Sequence, residues 1–177
     1  YYKLDINAEY KNMCVFDLDD TIVKLRTNIL LNKNVKSVLK ELSNHSNIVV
    51  FSNQSGIEKS HTTHYIVQSI MDSVSKQINI PISFFYAISD DIYRNPMIGM
   101  YELFNELVPN VTFNYYCGDA AGRPGDFSIS DLYFANNINV PFKVPEEIFL
   151  NDISSVCSIG TNKIKNIYKE DIWINGL

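Results

Sequence analysis

The segment Phe16-Asp-Leu-Asp-Asp-Thr21 sets two carboxylates two residues apart. Side chains at i and i+2 of an extended segment share a face, so Asp17 and Asp19 are presented together while Asp20 falls out of step. Carboxylates held side by side repel each other unless a shared proton or a cation lies between them, so the pair asks for a divalent metal. No His or Cys neighbours them, and an all-oxygen set suits Mg²⁺ better than zinc. An acidic run after a strand also serves as a solvated turn or a helix cap, and this tetrapeptide alone does not choose between the readings. Three further clusters bear on the choice. Phe51-Ser-Asn-Gln-Ser-Gly56 offers hydroxyl and amide donors to an anion, Tyr93-Arg-Asn-Pro96 supplies a cation, and Cys117-Gly-Asp-Ala-Ala-Gly-Arg-Pro124 an acid and an arginine. Each alone reads as a turn or as surface; gathered at one edge of a sheet they suit phosphate and Mg²⁺.

The apolar patterning supplies such an edge. Short apolar runs at Asn12–Phe16, Ile48–Phe51, Phe84–Ile88 and Val111–Cys117 have the length of buried strands, and each ends at one of these clusters or shortly before it. Between them lie helical repeats: Val35, Val38, Leu39 and Leu42; then Ile66, Ile70, Met71 and Val74 up to a break at Ile78–Pro81; then Met97–Leu107, opened by Pro96. Leu132–Asn137 reads as a short helix, Val140–Lys143 as an edge strand that tolerates its proline, and Pro145–Phe149 as a helix start. Strands alternating with helices predict an α/β fold: a single Rossmann-like domain with a mainly parallel sheet flanked by helices. Open sheets of this kind place ligands at the carboxyl ends of their strands, where the four clusters fall. The chain has 177 residues, enough for one domain of residues 1–177, with a motif-bearing core at 11–150 and a less regular tail at 151–177 that holds Trp173.

Composition narrows the function. The net charge of -5 excludes a global basic field for nonspecific nucleic-acid binding, so any contact with DNA is local. No apolar stretch is long enough to span a membrane. Cys14, Cys117 and Cys157 form an odd set without a CxxC, which favours a reducing intracellular compartment, nucleus or cytoplasm. The chain opens on tyrosine without a charged-then-apolar leader and reads as an excerpt of a longer one. Gly160-Thr-Asn-Lys163 lacks the GxxxxGK[ST] spacing, so no kinase activity is expected. His61 and His64 are expected at the surface, and most of Tyr65, Tyr86, Tyr93, Tyr101, Tyr115 and Tyr116 in the core. A monomer is the simpler expectation.

The order Asp-x-Asp-x-Thr, Ser-Asn-Gln, Arg94-Asn-Pro-Met-Ile-Gly-Met100, Gly118-Asp-Ala-Ala-Gly-Arg-Pro-Gly-Asp-Phe-Ser128 and Phe142-Lys-Val-Pro-Glu-Glu-Ile-Phe-Leu150 resembles the DNA 3'-phosphatase domain of polynucleotide kinase/phosphatases. That family lies within the haloacid dehalogenase superfamily. The resemblance implies a haloacid dehalogenase-like fold with minimal or no cap, and a Mg²⁺-dependent phosphatase acting on DNA 3'-phosphate ends during repair. It implies Asp17 as the nucleophile that takes the phosphoryl group and Asp19 as acid and then base. Ser52, beside Asn53, would hold phosphate oxygens. The metal would be held by Asp17, Asp119 and the main-chain carbonyl of Asp19, with Asp131 supporting a metal-bound water. Arg26 and Arg123 would contact the substrate.

Two positions depart from the family pattern. Asp20 stands where a glycine is usual, and Asn95 where the third motif carries a lysine. A residue before proline is extended, so Arg94 and Asn95 should point in opposite directions. Arg94, permanently charged and shaped for phosphate oxygens, is expected to face the site and to offset the repulsion between phosphate and carboxylate. Two rivals stand beside this reading: a phosphatase of small monoesters on the same scaffold, and an inactive module that binds DNA ends.

Overall fold

The computed structural model describes residues 1–154; residues 155–177, with Cys157, Trp173, the 160–163 segment and nearly all of the expected tail, lie outside the described residues. Six strands and five helices follow in the order β1 (Tyr2–Lys3), β2 (Asn12–Phe16), α1 (Val35–Leu42), β3 (Asn47–Asn53), α2 (His64–Ile78), β4 (Ile82–Ala87), α3 (Gly99–Leu107), β5 (Thr112–Cys117), α4 (Ser130–Asn137), β6 (Phe142–Lys143) and α5 (Pro145–Leu150). They form one sheet in the order β1-β4-β3-β2-β5-β6. The four strands β4-β3-β2-β5 and the edge strand β6 are parallel, and β1 alone runs antiparallel.

Alternation along the strands builds two apolar layers. Cys14, Phe16, Ile48 and Val50 face one side and meet Val35 and Leu39 of α1, Val67, Met71 and Val74 of α2, and Phe149 of α5. Met13, Val15, Val49 and Phe51 face the other and meet Met100 and Phe104 of α3 and Phe134 and Ala135 of α4. A sheet covered on both faces explains why these strands read as near-continuous apolar runs. Phe51 anchors the second layer, with Phe85, Phe104 and Phe134 rings 5.6, 6.2 and 5.9 Å away.

Among the described residues, the connections between β2 and α1 and between β3 and α2 hold only turns and isolated bridges, so no cap covers the carboxyl edge. Helix α2 starts where Thr63 accepts the Ile66 N–H and ends at Asn79 in the left-handed region. Two elements differ from expectation. Helix α3 begins at Gly99 rather than near Met97, because residues 92–98 are spent on a turn closed by Met97 N–H to Arg94 O and Gly99 N–H to Ile92 O. Strand β1, two exposed residues paired with Phe84 and Phe85, is too short to leave a periodic signal.

Candidate active site

The site lies where the strand order reverses, at the carboxyl ends of β2 and β5. Asp17 follows β2 directly and extends its ladder by donating its N–H to Cys117 O of β5 at 2.8 Å. Asp119 stands two residues past β5, and Asp131 in the first turn of α4. Carboxylate oxygens of Asp17, Asp119 and Asp131 all lie within 4.8 Å of one another. Asp131 is held by the Ala120 N–H at 3.1 Å, by Tyr116 Oη at 3.4 Å and by Asn95 Nδ2 at 3.4 Å. Gly118 lets it come so close. A Cβ there would lie 2.3 Å from Asp131 Oδ2, a distance no side chain tolerates.

Three acids in so dry a place resist ionisation. Burial pushes the Asp17 carboxyl well above the usual carboxylate range, and Asp131, Asp19 and Asp119 push it further. Burial, then Asp131, raises Asp119 to about 7. Asp131 is raised by burial and drawn back by the Ala120, Asn95 and Tyr116 hydrogen bonds. Such a cluster is costly unless a cation compensates it. The donor set is three carboxylates without nitrogen or sulfur, and it fits a hard divalent ion such as Mg²⁺.

The carboxylate of Asp19 lines the same cleft but is not part of this trio. Its Oδ1 accepts the Arg26 main-chain N–H at 2.6 Å and its Oδ2 accepts Gln54 Nε2 at 2.8 Å. The three carboxylates that come together are those of Asp17, Asp119 and Asp131, while the expected part of Asp19 in a metal site is its main-chain carbonyl and does not involve its side chain. Arg26 lines the cleft, with its φ at 55°. Asp20 has a φ of 51°, in the left-handed region that glycine enters freely and aspartate tolerates. Its Oδ1 accepts the Leu25 N–H at 3.0 Å and so fixes the turn. A glycine is therefore the natural alternative there. Asp20→Gly is expected to keep the fold and to hold steady-state turnover within about threefold of wild type, whereas a β-branched Asp20→Val lowers the melting temperature by several degrees through backbone strain of about 1–2 kcal/mol.

The carboxyl edge opens into a cleft of about 750 Å³ lined by Asp17, Asp119, Asp131, Asn53, Gln54 and Arg94, with Leu25 and Phe127 at its rim. Arg94 and Asn95 of the third cluster both line the cleft. Asn95, only 2% exposed, is the residue that meets the acids; its Nδ2 donates to Tyr116 Oη at 2.7 Å and reaches Asp131. Arg94 sits on the cleft wall, where Nε pairs with Asp90 at 3.0 Å and Nη1 donates to Ser55 Oγ at 3.0 Å. A neutral amide is far cheaper to bury than a guanidinium, which keeps its head toward water. Arg123 is outside the cleft lining, and its guanidinium pairs with Asp126 at 2.9 Å and Glu146 at 3.1 Å. Ser52 lies beneath the wall, 1% exposed, with Oγ accepting from Gln54 at 2.9 Å. Asn53, on the wall, accepts the Asn95 N–H at 2.9 Å. Gln54 and Tyr116 are thus the site residues that sequence reasoning missed, the first visible only as a letter of the Ser-Asn-Gln cluster, while Asn95 is weighed there and not assigned to the site. Tyr86 and Tyr116 are core residues as expected, while Tyr65 and Tyr93 are exposed. His61 is exposed on the cleft, whereas His64 is half-buried against Tyr86.

The fold, a parallel sheet covered on both faces with the acid cluster at its strand-order reversal, has counterparts among solved structures. A magnesium and phosphate complex of a D,D-heptose 1.7-bisphosphate phosphatase from B. bronchiseptica superposes on it with a TM-score of 0.62 at 14% identity, covering 80% of this chain and 87% of that one. A family model described as Polynucleotide kinase 3 phosphatase matches residues 12–149, and the chain belongs to that family. A bifunctional polynucleotide phosphatase/kinase of Schizosaccharomyces pombe is 34% identical over 154 residues, 79% of this chain and 38% of that protein. A polynucleotide 3'-phosphatase of Saccharomyces cerevisiae is 50% identical over 68 residues, 32% of this chain and 29% of that protein. The chain therefore spans well under half of the length of either relative.

Proposed function

We propose that this domain hydrolyses the terminal 3'-phosphate of DNA through an aspartyl-phosphate on Asp17, in the processing of broken ends. The observation that carries the reading is the buried trio Asp17, Asp119 and Asp131 at the strand-order reversal, enclosed by the 12–149 family match. Asp17, Asp119 and Asp131 would hold Mg²⁺, which when bound would offset carboxylate charge and polarise a phosphate oxygen. In the first step an Asp17 carboxylate oxygen forms a bond to phosphorus as the bond to the 3'-oxygen breaks, and Asp19 gives that oxygen its proton. In the second, Asp19 takes a proton from water, which attacks phosphorus and frees Asp17 with release of inorganic phosphate. Asn53 and Arg94 stand on the cleft wall with donors to orient the phosphate. Leu25 and Phe127, 55% and 89% exposed at the rim, give the nucleoside an apolar surface. The uncapped cleft favours a polymer end over a small monoester that would need enclosure.

The test is release of phosphate from a 3'-phosphorylated oligonucleotide, its 5'-phosphorylated isomer and small monoesters, each with Mg²⁺ and with EDTA. The 3'-isomer is expected to turn over at least about 100-fold faster than the others, with loss of activity in EDTA. Faster hydrolysis of the small monoesters would support the small-molecule rival, and binding without turnover would mark an inactive module.

A further inference from the structure

We propose that Gln54 is a positioning residue that aims Asp19 at the leaving group, an inference that rests on the reading of Asp19 as the acid. A primary amide carries two N–H donors. In Gln54 they go to two different groups, Asp19 Oδ2 at 2.8 Å and Ser52 Oγ at 2.9 Å. Among the described residues, Gln54 is the one side chain hydrogen-bonded to Asp19; its other oxygen is met by the Arg26 main chain at 2.6 Å. A carboxylate that accepts on both oxygens is fixed in orientation, and each oxygen keeps a further lone pair for a substrate proton. Ser52, 1% exposed beneath the cleft wall, accepts the second donor and so fixes the plane of the Gln54 amide.

Gln54 is itself anchored. Its N–H donates to Ala87 O at the end of β4 at 2.7 Å, and its carbonyl accepts the Ile57 N–H at 3.0 Å. Its aim is inherited from the ends of β3 and β4, while Asp19 belongs to the turn after β2. One amide thus ties the proton-transfer group to the end of β3, so that Asp19 keeps its place when substrate enters. A displacement of about 1 Å in such a group costs on the order of 100-fold in rate.

The experiment compares wild type, Gln54→Met, Asp19→Asn and the double variant with Mg²⁺ present. Methionine keeps the length of the side chain and removes both donors. Two esters are used: a 3'-phosphorylated oligonucleotide, whose alkoxide leaving group needs a proton, and p-nitrophenyl phosphate, whose phenolate departs without one. Gln54→Met is expected to slow single-turnover cleavage of the oligonucleotide by about 30- to 100-fold and the pre-steady-state release of p-nitrophenolate by less than about threefold. The retained burst also reports that the variant is folded and its nucleophile intact. Asp19→Asn should show the same dependence on leaving group more strongly, with the double variant no slower than Asp19→Asn alone, because two groups acting as a unit are not additive. Equal losses on the two esters, or additive losses in the double variant, overturn the role of Gln54. Absence of any leaving-group dependence in Asp19→Asn overturns the acid assignment and the inference with it. If wild type spares oligonucleotide ends but cleaves p-nitrophenyl phosphate, the substrate reading fails, and glycerol phosphate replaces the oligonucleotide as the alkyl ester in the same comparison.

Discussion

Asp17→Asn lowers phosphate release from a 3'-phosphorylated end by about 10⁴-fold or more, the scale on which enzymes lose rate with their nucleophile. The amide is nearly isosteric, so the loss reports chemistry and not repacking. The same substitution leaves the metal-free protein melting higher than wild type. Asp17 is 8% exposed, and its charge is opposed by burial and by Asp131, Asp19 and Asp119 in turn. Removing that charge relieves a repulsion that folding otherwise sustains. Loss of activity with a gain in stability marks a group kept for function at a cost to the fold. Single-turnover assays with a ³²P-labelled end, alongside thermal melts in EDTA, measure both. A variant that still forms a phosphorylated protein, or that melts well below wild type, would remove Asp17 from the nucleophile's place.

The sequence exposed those parts of the site that obey local rules. Asp17 sits at the end of a five-residue apolar strand, and the period of two joins it to Asp19; both facts are written in six consecutive letters. Asp119 is legible in the same way, as the acid after β5. Asp131 was reached only through family resemblance, because the start of α4 carries no capping side chain and no distinct apolar face to announce it. The pairings of Gln54 with Asp19 and of Asn95 with Asp131 span 35 and 36 residues, and no local period encodes which strand end meets which. Local geometry predicts that Arg94 and Asn95 diverge, yet both line the cleft: the neutral amide is buried against the acids, and the guanidinium stays at the wall with Asp90 and Ser55. The partner of Arg123, by contrast, is local: Asp126 lies three residues on and pairs with it. The fold is more legible than the site, since the four central strands follow from their apolar runs and helices α1 and α2 from their apolar periodicity.

The metal-free protein is expected to lose stability as pH rises from about 4 to about 7, opposite to the usual trend for carboxylates in ion pairs. Asp119 fixes the window, with an ordinary value of 3.8 raised to about 7 in the folded chain. Below pH 4 the group is protonated in both states and contributes nothing. Above it the unfolded chain ionises freely while the folded one still holds its proton. The native state then binds more protons than the unfolded state, and the slope of unfolding free energy with pH is negative. The contribution becomes constant once pH passes the folded value. Asp17 and Asp131, shifted in the same direction, steepen the fall. A divalent cation inverts the pattern, since it binds the ionised trio and has to displace protons at low pH. Melting temperatures in Mg²⁺ and in EDTA should therefore nearly coincide at pH 5 and separate increasingly up to pH 8, with Asp119→Asn flattening the EDTA curve. Curves that run parallel across that range would show that the three carboxylates are already compensated without a cation, and the buried trio would then have no need of a metal.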